Sequence, residues 1–186
     1  MRRLKWVVIA GGLVVWPAMA AGAAFKLESP TIKPGATLTE AQVFNGFGCS
    51  GQNLSPALQR SGAPQGTKSF AVTLYDPDAP TGSGWWHWVV IDIPAGTTSL
   101  PEGAGSPDGG KLPPGSVQGR TDFGTPGFGG ACPPKGDKPH RYIFTVYALK
   151  TDKLDVSADA TAAMVGFMIR GNSLGSATLT AKYGRK

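Results

Sequence analysis

Four stretches of the chain alternate apolar residues with others at period two, and they predict its main strands. Over 69–75, Phe70, Val72 and Leu74 fall on one face. Over 85–93, His87, Val89, Ile91 and Ile93 share a face, while Trp86, Trp88, Val90 and Asp92 take the other. Both faces are largely apolar, so this strand is expected to be central and covered on both sides. Residues 141–149 and 177–183 complete the set, and shorter strands fit around 25–27 and 36–39. A helix is predicted over 158–170, with Ser157 as N-cap and Gly171 as its stop. Ala160, Met164, Phe167 and Met168 recur there at helical spacing, and that stripe is expected to face the core. Gly and Pro interrupt every other segment. The pattern is that of a β-rich domain with one helix and long loops of the kind that build a site.

Composition refines this picture. A length of 186 residues sets a prior of one domain. With 27 Gly and 16 Pro the chain approaches the composition of disordered sequences, but 41% hydrophobic residues, including five Trp and eight Phe, supply a core. No heptad persists and no fixed-period repeat occurs, which excludes coiled coils and solenoids.

The net charge of +6 overstates the basicity of the working protein. Arg2, Arg3 and Lys5 precede an apolar run from Trp6 to Trp16, followed by Pro17-Ala18-Met19-Ala20. That order describes a secretory signal peptide, residues 1–20, with cleavage sites open up to Ala24. The run is well short of the ~20 residues that span a bilayer. Its removal takes Lys and Arg from 18 to 15 against 12 acidic residues. Residues 21–186 are then expected to form one domain, periplasmic or secreted, without a stable membrane anchor. No Lys/Arg cluster marks a nucleic-acid partner. In an oxidising compartment the isolated pair Cys49 and Cys132 reads as a disulfide rather than a metal site, with two separate buried thiols as the alternative.

Three short motifs lack their context. Gly46 to Gly51 matches G-x-G-x-x-G, but Pro56 stops the helix that a dinucleotide site needs. Asp122-Phe123-Gly124 stands without the rest of a kinase signature, and Gly171-x-Ser173-x-Gly175 follows both histidines instead of preceding one.

Two other segments carry chemistry. Tyr75-Asp76-Pro77-Asp78-Ala79-Pro80 closes a strand, and its prolines stiffen a loop that bears two carboxylates. If the next strand pairs back, His87 returns beside this loop, where a carboxylate would fix its tautomer and favour imidazolium. Phe128-Gly-Gly-Ala-Cys132-Pro133-Pro134-Lys-Gly136 can aim backbone N–H groups at an anion, and His140-Arg141-Tyr142 follows at another strand start. Both histidines of the chain therefore lie where a loop enters a core strand.

These residues resemble the phosphatidylethanolamine-binding protein family, which includes Raf kinase inhibitor protein, and most of all its bacterial YbhB/YbcL-like branch. Gly51, Asn53, Ser55, Pro56 and Leu58, the run Lys68-Ser69-Phe70, and Leu174-Gly175 extend the likeness over nearly all of 25–186. The resemblance implies a mainly β fold of packed antiparallel sheets, a Greek-key sandwich, with a few peripheral helices. It implies a small pocket for phosphate-like or other anionic groups; no cofactor is expected. Carried over by position, the ligand-binding residues are Asp76, Asp78, Pro80, His87, Gly130, the backbone at Cys132, Pro133, His140 and Tyr142. Two positions depart from the family pattern. Phe128 stands where many members have Tyr, which removes a hydroxyl expected near the mouth, and Ala131 replaces a frequent Pro, which loosens that loop unless a Cys132 disulfide pins it.

The leading functional expectation is an exported binding or regulatory protein for a small anionic or phosphorylated ligand, with no catalytic residues. The second is an inhibitor of a protease or other enzyme, hence a protein partner. The third is a metal-dependent enzyme built on the His/Asp pocket. Two ionised aspartates repel an anion, so the leading reading calls for protonated histidines or a zwitterionic ligand.

Overall fold

The computed structural model describes residues 23–157 and 159–186. The expected signal peptide, 1–20, lies outside the described residues. The strands are β1 (Lys26–Glu28), β2 (Asn45–Gly46), β3 (Cys49–Ser50), β4 (Leu58–Ser61), β5 (Ser69–Asp76), β6 (Trp85–Pro94), β7 (Ser99–Leu100), β8 (Val117–Gln118), β9 (His140–Leu149) and β10 (Ser173–Tyr183), with α1 (Ala162–Asn172) before the last. A five-stranded antiparallel sheet runs β10-β9-β5-β6-β8, a three-stranded one runs β1-β4-β7, and β2-β3 is a separate hairpin.

The larger sheet is covered on both faces, as an apolar central strand requires. Phe70, Val72, Leu74, Phe144 and Val146 on one face pack with Leu27, Leu58 and Leu100 of the smaller sheet. Ala71, Val89, Ile91 and Leu149 on the other face pack against Val165 and Ile169 of α1. The expected mainly β sandwich with sparse helix is the fold observed.

Strict alternation fails along β6. Leu74 pairs with Trp88 and Tyr75 with Trp86, which leaves His87 as an extra residue; a second slip leaves Ile91 and Asp92 opposite Ala71, and Asp92 takes φ +57°. These bulges reassign the faces. Trp86, Val89 and Ile91 turn toward α1, whereas Trp88, Val90 and Ile93 enter the core between the sheets. The helix also differs from expectation. Thr161 caps it by accepting from the Met164 N–H at 3.2 Å, and it runs without a loop into β10. Its buried face is Ala162, Val165, Gly166 and Ile169, while Met164 and Phe167 are 53% and 72% exposed. Ala162 and Gly166, not Met164 and Phe167, join Val165 and Ile169 on the inward face: a Cβ on Gly166 would sit 3.2 Å from the Trp86 ring. Residues 36–39 form no strand and only bridge to Lys182 through Thr37.

Candidate functional site

The core face of the five-stranded sheet ends in polar side chains at one edge of the sandwich. Asp76 closes β5 two residues beyond Leu74, and His140 and Tyr142 open β9 on the face of Phe144. The bulge at His87 turns its ring onto Tyr142, with centroids 5.2 Å apart and planes at 75°. Asp76, His87, His140 and Tyr142 are all buried. Together with Pro80, Trp85, Phe123, Phe47 and Pro133 they line a pocket of about 150 Å³, roomy enough for several waters or a small head group.

Each polar group except one has a partner. One Asp76 oxygen accepts from the Asp78 N–H at 2.8 Å and the other lies 2.8 Å from Nδ1 of His140. Nε2 of His140 lies 3.4 Å from the Asp137 carboxylate, so each nitrogen of this ring faces an acid. Nδ1 of His87 lies 2.8 Å from the Gly129 carbonyl, which only accepts; the proton is therefore on Nδ1 and Nε2 remains the acceptor of the neutral ring. Burial pushes the His87 imidazole below its ordinary pKa, against the opposing pull of the Gly129 carbonyl and the Asp76 charge. The exception is the Tyr142 hydroxyl, which is buried and has no hydrogen-bond partner. Burial first, and the Asp76 charge second, push that phenol above its ordinary value against the pull of the nearby Cys132 backbone N–H, and hold it protonated.

Loops fix the rim of the pocket. Gly129 N–H donates to the His87 carbonyl at 2.8 Å, and Asn53 clamps the same loop by accepting from Gly130 N–H at 2.7 Å and donating to the Phe128 carbonyl at 3.1 Å. Cys49 and Cys132 form the expected disulfide, Cα atoms 6.0 Å apart, joining the β2-β3 hairpin to that loop. Arg185 adds a clasp, donating to the carbonyls of Pro133 at 2.6 Å and Gly48 at 2.9 Å. Phe47, at the hairpin tip, holds φ +50° and is 70% exposed; its ring stacks on Phe123 at 5.8 Å and 17°.

Asp76, Pro80, His87, Cys132, Pro133, His140 and Tyr142 thus meet as expected, but two residues do not join them. Asp78 turns outward, where Arg141 binds its carboxylate through Nε at 2.8 Å, Nη2 at 2.6 Å and the backbone N–H at 2.9 Å. Those bonds hold the Asp78 carboxyl well below the usual range, at about 2. Gly130 does not line the pocket; it lies against the backbone of residues 42–44, where a Cβ would come within 2.7 Å of the Phe44 nitrogen. Nδ1 of His87 bonds a carbonyl, not a carboxylate, and His140 takes the hydrogen bond to the acid instead. Phe128 is buried with its ring edge-on to Trp88 and stands away from the mouth. Ala131 is tied on both sides, its carbonyl accepting from Phe44 N–H and its N–H donating to the Gln42 carbonyl, each at 3.0 Å. The aromatic rim of Phe47, Trp85 and Phe123 was not anticipated; Trp85, two residues before His87, was its nearest sequence signal. Among the described residues, no group of three or more His, Cys, Asp or Glu side chains is arranged to hold a metal ion.

Residues 28–184 match the family model for phosphatidylethanolamine-binding protein. The chain is 56% identical to Escherichia coli K12 YbcL over 180 residues, covering 97% of this chain and 98% of that one. It is 54% identical to YbhB of the same organism over 158 residues, 85% and 99% of the two chains. The crystal structure of E. coli YbcL, described as a new member of the mammalian PEBP family, superposes with a TM-score of 0.86 at 60% identity, covering 88% of this chain and all of that one.

Proposed function

Since the chain belongs to the phosphatidylethanolamine-binding protein family, we propose that it is an exported binding or regulatory protein whose pocket receives a phosphate-like oxyanion. The observation that carries this reading is the Tyr142 hydroxyl. A phenol that stays protonated, buried at the pocket with no acceptor for its proton, is a fixed donor. An oxyanion supplies that acceptor, and Pro80, Pro133, Trp85 and Phe123 wall the pocket around it. The outward turn of Asp78 supports the same reading. It removes one of the two carboxylate charges that stood against an anion and neutralises it on Arg141.

The test is a titration of the mature protein, residues 21–186, with inorganic phosphate, followed by NMR. Saturable shifts concentrated at Tyr142, His87 and the 128–134 loop are the expected result. Shifts scattered over surface lysines, with none at Tyr142, would remove the pocket as the ligand site. Export is tested by expressing the full chain, residues 1–186. An intact mass beginning between residues 21 and 25 in protein recovered outside the cytoplasm is expected, and a full-length cytoplasmic product would overturn it.

A further inference from the structure

An oxyanion in this pocket meets an electrostatic problem that the geometry also resolves. No Lys or Arg lines the pocket, whereas the Asp76 carboxylate does. The charges and titratable groups facing His87 are Asp76 from β5, Tyr142 and His140 from β9, and Asp122 from the loop hydrogen-bonded along β6. Both nitrogens of His140 already meet carboxylates, at 2.8 and 3.4 Å. Nδ1 of His87 is committed to Gly129. The one basic atom left to answer a ligand's charge is Nε2 of His87, and in the neutral ring it presents a lone pair that repels an oxyanion.

We propose that an oxyanion enters the pocket together with one proton from solvent, which binds Nε2 of His87 and departs with the ligand. This rests on the oxyanion reading above. With the proton in place, Nε2–H and the Tyr142 O–H both donate to the ligand, Nδ1–H keeps its bond to Gly129, and imidazolium offsets Asp76. Without the ligand, desolvation returns the ring to neutrality. Binding therefore strengthens as the pH falls, about tenfold per unit between the free and bound midpoints of His87.

Sulfate is the probe, because its charge is constant from pH 5 to 9. The chain has two histidines, so ring ¹⁵N spectra report each one separately. The expected result is that at pH 7 saturating sulfate converts His87 from the neutral Nδ1–H form to imidazolium and leaves the His140 signals in place. The His87→Asn variant should bind sulfate weakly, with no change between pH 6 and 8. Sulfate bound at the pocket with His87 still neutral, or with the proton taken up at His140, overturns the coupling and leaves the oxyanion reading standing. No sulfate binding at any pH from 5 to 9 overturns both.

Discussion

Replacing Tyr142 with Phe should raise stability and lower affinity together, a pairing that a purely structural tyrosine does not produce. The hydroxyl is buried and unpartnered, and an unsatisfied buried polar group costs about 1–3 kcal/mol. Its removal leaves the ring packed against His87 and the core, so Tyr142→Phe in ligand-free protein should gain up to that amount. For a chain of this size each kcal/mol moves Tm by about 2–4 °C. Binding moves the other way. A hydrogen bond to a charged acceptor contributes about 1.5–3 kcal/mol, so the affinity for phosphate should fall about 10- to 150-fold. The assays are calorimetric unfolding after exhaustive dialysis and phosphate titration of both proteins. A variant that loses several degrees of Tm and keeps its phosphate affinity would show that the hydroxyl is satisfied within the fold, which refutes the reasoning.

Four further outcomes follow from the geometry. Asp78→Asn should cost about 1 kcal/mol at neutral pH, a figure kept small because Arg141 is half exposed and the pair is screened. The folded carboxyl titrates at about 2, below its ordinary 3.8, so the pair's contribution is present above about pH 4 and fades as the pH falls toward 2; acid unfolding curves of variant and parent should converge there. Reducing the Cys49–Cys132 bond, or replacing both cysteines with Ala, should cost about 4–5 kcal/mol by loop entropy for residues 83 apart, read by urea unfolding with and without reductant. Gly130→Ala should destabilise by about 2–4 kcal/mol, because its methyl would press on the backbone at Phe44 where nothing yields; a Tm change under 2 °C would contradict this. Phe167→Ser, on the exposed face of α1, should leave stability within about 0.5 kcal/mol, whereas Ile169→Ala should cost about 2–5 kcal/mol.

Alternation exposed the long strands because each stacks apolar side chains on a covered sheet face, and period two survives in the sequence wherever pairing is regular. It misassigned β6 for the same reason. Two bulges leave no mark in a run as apolar as residues 85–93, yet they decide that Trp88 and Val90 face the smaller sheet and that His87 turns onto Tyr142. The helix was legible as a segment but not as a face. Hydrophobicity ranks Met164 and Phe167 above Ala162 and Gly166, while close approach to Trp86 demands the small residues. At the site, seven of the nine expected ligand-binding positions converge, since strand ends and Pro-rich loops gather there by topology. Asp78 was misplaced because its role is settled by a partner 63 residues away, Arg141, and spacing along the chain cannot express that pairing. The same holds for the exchange of acids between the histidines. His87 and His140 look equivalent in the sequence, each at a strand entrance, but the hydrogen bonds of His140 go to Asp76 and Asp137 and that of His87 goes to a carbonyl. That asymmetry gives them different work: His140 is held between fixed charges, and His87 keeps one nitrogen free to answer the charge of whatever enters.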